Sequence, residues 1–122
     1  MQGPLRKDFT VEPPQRTLLD ILKDRGLKVV YIGKVYDMFS GRGFTERYPM
    51  NSNKDGMDTL LEIYHEFKEG MIFLTLTDFD TLYGHRNNPE GFNKALIEFD
   101  LYLGRLLNLL EEDDYLILTA DH

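Results

Sequence analysis

The sequence predicts an α/β fold in which a parallel-type sheet is layered with helices. Two observations predict it. Short β-branched or apolar runs, LKVVYIG (27–33), MIFLTL (71–76) and YLILTA (115–120), alternate with longer segments of helical periodicity. Strands separated by helices pair in parallel through right-handed crossovers, which gives layers of helix on sheet.

The first sixteen residues carry three prolines and mixed charge and read as an extended entry segment. A first helix is expected over 17–25, with Leu18, Ile21 and Leu22 on one face and Gly26 where the helix stops. Strand 27–33 comes directly after it. Residues 34–53 read as a loop, with Gly41, Gly43, Pro49 and an Asn-Ser-Asn cluster. A second helix fits 54–68, where Met57, Leu60, Leu61, Tyr64 and Phe67 share a face, and strand 71–76 comes next. Asn88-Pro89-Glu90 is a helix start: a capping side chain, proline in the first turn and an acid beside it. Phe92, Leu96, Phe99, Leu103, Leu106 and Leu110 then recur by threes and fours and specify one apolar face. Strand 115–120 is expected last, directly before Asp121-His122, with no closing helix; the chain reads as a piece of a larger domain.

The 122 residues suffice for one core. A net charge of −7 with no basic stripe argues against nucleic acid or an anionic membrane as partner. No apolar run reaches the roughly 18 residues of a bilayer span, and residues 1–9 lack the apolar stretch of a signal peptide. Cytoplasmic location is the expectation. The chain has no cysteine, so a metal would be held by oxygen and nitrogen donors alone.

Ligands of open parallel sheets gather beyond the carboxyl ends of the strands. Two predicted strands end in groups that bind metal: Asp78, Asp80 and His85 after one, Asp121 and His122 after the next. Two Asp-plus-His sets suit two hard or borderline divalent cations, manganese or zinc. Such a pair, about 3.5–4 Å apart, clamps a transferring phosphoryl group. A single such set is more often a turn cap with an exposed histidine; two at successive strand ends favour a site. Lys34, also at a strand's carboxyl end, has the charge to meet a phosphate or another anion, although a lysine in that place is more often only solvated. His65 reads as a surface residue, SGRGFT (40–45) as a turn and Asn88 as a cap.

Taken together, IGKVYDMFSGRGFT, SNKDGMD, DFDTLYGHRNNPEGF, the long apolar-faced helix and EEDDYLILTADH resemble the prokaryotic phosphopentomutase family of the alkaline phosphatase superfamily. The resemblance covers nearly all of residues 8–122 and includes the spacing from Asp80 to Asp121. It implies that residues 1–122 are a partial alkaline-phosphatase-like core domain, that residues 1–16 enter from a cap domain, and that later core elements lie elsewhere. It further implies interconversion of ribose or deoxyribose 1- and 5-phosphates through a phosphothreonine, with two divalent cations, usually Mn2+. Asp80 and His85 would bind one ion and Asp121 and His122 the other. Lys34 would face the pentose phosphate substrate, and Asp78 would be structural. The nucleophilic threonine, an amino-terminal Asp ligand and a third histidine are not in this chain, so by itself it is expected to be inactive. Arg42 stands where relatives are often acidic. The alternatives are another superfamily enzyme, such as a cofactor-independent phosphoglycerate mutase or a phosphatase, and a non-catalytic metal-binding module. The wording of IGK and DFDTLYGH favours the pentomutase. Oligomeric state is not legible.

Overall fold

A computed structural model of the chain describes residues 9–34 and 38–122. Residues 1–8 of the expected entry segment and residues 35–37 of the expected loop lie outside the described residues. In chain order the elements are α1 (Leu18–Asp24), β1 (Lys28–Gly33), β2 (Glu46–Pro49), α2 (Asn53–Tyr64), β3 (Gly70–Leu74) and α3 (Pro89–Leu109), with a π-helical turn over Phe79–Gly84. The sheet has the order β2-β1-β3, and both pairings are parallel. This is the predicted α/β arrangement.

β1 is the axis of the fold. Val29, Val30, Tyr31 and Ile32 are all at most 1% exposed, because a central parallel strand is covered on both faces. Val30 and Ile32 join Met50, Met57, Leu60, Tyr102 and Leu106 in one core. On the alternate face Tyr31 packs against Phe44, with ring centroids 5.0 Å apart, and against Phe73 at 6.2 Å. α2 lies against β1 and β3, and α3 packs on α2.

Local chemistry explains the helix ends. Thr17 and Asp20 form a reciprocal capping box at the start of α1. At its end, Gly26 takes φ +77°, and Leu27 N–H and Gly26 N–H donate to the carbonyls of Leu22 and Lys23. That is a Schellman closure, and it needs the left-handed conformation glycine adopts without strain. Asn88 accepts from Gly91 N–H at 2.9 Å with Pro89 in the first turn, as expected. An Asn88→Ala variant should therefore lose about 1 kcal/mol, read as a lower denaturant midpoint at unchanged slope.

Asp20 has a second role. Arg42 Nε donates to both its carboxylate oxygens at 3.2 Å, and Arg42 also donates to the carbonyls of Pro13 and Gln15. This clasp pins residues 13–15 to α1. The backbone N–H of Thr17 foremost, then Arg42, hold the Asp20 carboxyl below its usual range. A depressed carboxylate contributes stability above the unfolded-state value, near about 4, and that contribution is lost as pH falls through the folded value. Thermal unfolding of Asp20→Asn should accordingly depend less steeply on acid pH than the parent chain.

The structure corrects several expectations. Residues 115–120 form no strand: they have no ladder partner among the described residues, and Tyr115 and Ile117 are 94% and 84% exposed. Apolar β-formers gain little without a neighbouring strand and a covering layer. The third strand is instead β2, inside the expected loop. It is a four-residue edge strand ending in Pro49, too short and polar to announce itself. In α1 the buried residue is Leu19, while Leu18 and Ile21 are exposed; the apolar residues at 18, 19, 21 and 22 offered two faces, and the sheet selects the second. α2 ends at Tyr64, although Phe67 still packs on the core. The buried stripe of α3 runs through Phe99, Tyr102 and Leu106, leaving Phe92 and Leu96 exposed. Tyr102 takes that place because its hydroxyl finds Asp58 on α2, and Arg105 covers its ring at 5.1 Å.

Candidate metal centre

β1 and β3 run parallel, so their carboxyl ends open on one edge of the sheet. Beyond β3 the chain enters the π-helical turn, in which His85 N–H donates to the Asp80 carbonyl at 3.0 Å. The wider turn brings two side chains five residues apart to the same spot. His85 Nε2 lies 3.0 Å from Asp80 Oδ1. Phe79 anchors the turn by packing on Phe92 and Phe99 of α3, at 5.2 and 6.4 Å between centroids.

Asp121 and His122 reach the same edge without a strand to carry them. The segment before them is tied at its start, where the Tyr64 hydroxyl donates to Asp114 and Asp114 also accepts from Glu111 N–H. At its end, His122 Nε2 lies 3.4 Å from Asp80 Oδ1, and His122 Nδ1 lies 2.8 Å from Asp121 Oδ1. Both imidazoles thus meet one oxygen of Asp80. Asp121 first, and Asp80 after it, push the His122 imidazole above its usual range.

Lys34 comes after β1 at the same edge and meets the group through Asp78, at 3.3 Å from Asp78 Oδ1. Asp78 is only 6% exposed. Its other oxygen accepts from Asn53 N–H at 2.7 Å, and its own N–H donates to Asn53 Oδ1 at 3.1 Å. Asn53 opens α2, and its Nδ2 is buried with no partner among the described residues. The Asn-Ser-Asn signal was legible as a loop; that Ser52 caps α2 and Asn53 locks onto Asp78 depends on long-range packing. His65 is exposed at the carboxyl end of α2.

Two carboxylates and two imidazoles are a donor set suited to a divalent cation of the manganese or zinc kind. Among the described residues, no three or more His, Asp or Glu side chains are arranged to hold a metal ion. The donors pair with one another instead, so an ion would replace carboxylate–imidazole hydrogen bonds. The chemistry of the set fits.

A family model described as the metalloenzyme superfamily matches residues 23–122. The phosphopentomutase of Dictyoglomus thermophilum is 47% identical over 119 residues, which are 98% of this chain and 30% of that protein. That of Thermotoga maritima is 48% identical over 123 residues, 100% of this chain and 32% of the relative. That of Levilactobacillus brevis is 49% identical over 117 residues, 96% and 30%. The chain thus spans somewhat under a third of the length of these curated relatives. Among the described residues no helix is long and apolar enough to cross a membrane. A match over residues 23–122, on a parallel sheet with Asp and His side chains gathered at its carboxyl edge, establishes that the chain belongs to the metalloenzyme superfamily.

Proposed function

We propose that these residues form part of the core domain of a phosphopentomutase, which interconverts ribose or deoxyribose 1-phosphate and 5-phosphate in the cytoplasm. The observation that carries this reading is the meeting of His85 and His122 on Asp80 Oδ1, in a chain 45–49% identical to phosphopentomutases. In this reading Asp80 and His85 hold one divalent cation, Asp121 and His122 the other, and Mn2+ is the natural ion for both. Held by these residues, divalent cations would supply Lewis-acid stabilisation of charge on the phosphoryl oxygens.

The chain's own residues do the placing. Asp80 shares one oxygen between two imidazoles, keeping both near a single point. His85 is held by the turn and His122 by Asp121. Lys34 offers an ammonium to the phosphate of the pentose at the same edge, where a positive charge is needed beside a dianion. Residues 1–16 enter from a cap domain, and the phosphothreonine that passes the phosphoryl group between sugar positions lies in another segment.

The test is manganese-dependent conversion of ribose 1-phosphate to ribose 5-phosphate. The full-length protein carrying this segment should show it, and residues 1–122 alone should not. A full-length protein that hydrolyses phosphate esters or moves the phosphate of a phosphoglycerate instead would overturn the reading in favour of another superfamily activity.

A further inference from the structure

We propose that Asp78 is a positioning residue that fixes the Lys34 ammonium at the carboxyl edge of the sheet and ties it to the turn bearing Asp80 and His85. The inference rests on the reading of Lys34 as a phosphate-facing group, and it adds a residue to that reading.

Asp78 immediately precedes a helical turn, where an aspartate ordinarily caps the exposed N–H groups. Its side chain makes no such bond. The carboxylate turns inward, is nearly buried, and divides its oxygens between two distant elements: Oδ2 to Asn53 N–H at the start of α2, Oδ1 to Lys34 Nζ after β1. A carboxylate removed from water requires compensating donors and charge, and Lys34 is the cation that meets it. The reciprocal bond from Asp78 N–H to Asn53 Oδ1 fixes the backbone as well. Three elements therefore meet on one residue, two positions before Asp80.

For Lys34 the consequence is order. A lysine on an open strand end samples many rotamers, and binding must freeze them. Here the side chain is only 33% exposed and one ammonium hydrogen is engaged by Asp78. An ammonium has three donors; among the described residues Asp78 engages one of them, and the others can turn to an anionic group of the substrate. Asp78 also adds a negative charge beside the phosphate subsite, which a merely attractive site would avoid; its value lies in placement.

The experiment compares Asp78→Asn, Lys34→Met and the double variant in the full-length protein. Asparagine keeps the size and an acceptor for Asn53 N–H but removes the charge that holds Lys34. Asp78→Asn should raise KM for pentose 1-phosphate about tenfold while kcat moves less than about threefold, with calorimetric Mn2+ affinity unchanged. The double variant should be no worse than Lys34→Met alone, the signature of two residues acting as one unit. Independently of turnover, the side-chain 15N ammonium resonance of Lys34 should persist in the parent protein and be lost in Asp78→Asn. Additive losses in the double variant, or an ammonium signal unaffected by Asp78→Asn, would overturn the proposal. A signal that depends on Asp78 in a protein without pentose phosphate activity would sink the functional reading and leave the positioning intact.

Discussion

Asp80→Ala is expected to reduce pentose phosphate interconversion by the full-length protein by more than about 100-fold, the upper range for losing even an indirect metal contact. Its Oδ1 is the atom on which both His85 and His122 converge. Removing it takes away a proposed ligand and also frees two exposed imidazoles from their common reference point. His122→Ala should be nearly as severe, since it deletes one donor and leaves Asp121 without its partner at 2.8 Å. Steady-state kinetics at saturating Mn2+, with calorimetric titration of the ion, separate lost binding from lost turnover. If either variant kept the parent's activity, the assignment of these residues to the metal centre would be wrong.

The second large effect is on stability. Gly70 opens β3 opposite Lys28 with φ +136°, a conformation side chains rarely adopt. A Cβ there would sit 2.1 Å from the Lys28 carbonyl oxygen, on the backbone of the central strand, and 3.0 Å from the Phe67 ring. Neither backbone strain nor overpacking can relax without moving the ladder, so Gly70→Ala should cost about 3–5 kcal/mol. That is a large part of the stability of a small domain. Gly104 is the control: it lies within α3, and an added Cβ meets nothing within 4 Å. Gly104→Ala should stabilise by about 0.5–1 kcal/mol. Urea unfolding monitored by far-ultraviolet circular dichroism distinguishes the two; equal midpoints would contradict the steric account.

How much could be read in the sequence depends on the range of the physics involved. Gly26 and Asn88-Pro89 mark helix ends by bonds to residues within a few positions, and each sits where its chemistry placed it. The α/β class came from the alternation of elements. Choices that depend on distant partners were hidden. Leu19 rather than Leu18 turns inward because β1 lies there, and Tyr102 enters the core because Asp58 is across from it. β2 exists only because β1 offers it a ladder, whereas 115–120 has every local mark of a strand and no partner among the described residues. The candidate site was legible as residue types at strand ends. Its geometry was not: that Asp80 gathers both imidazoles, and that Asp78 faces Lys34 and Asn53, depends on a turn wider than an α-helix and on the packing of α2.

That wide turn has a consequence for chain length. Connections at the surface generally accept insertions and deletions, but the four residues between Asp80 and His85 should not. Each residue added to or removed from a helical turn rotates the chain beyond it by about 100°, which would swing His85 away from the Asp80 carboxylate and would also strain the start of α3, where Asn88 N–H donates to the Tyr83 carbonyl at 3.0 Å. A variant lacking Leu82 should keep the β1–β3 ladder and α2, which the turn does not touch, and yet lose the contact of His85 with Asp80. Between these two residues, the count of amino acids matters more than their identity.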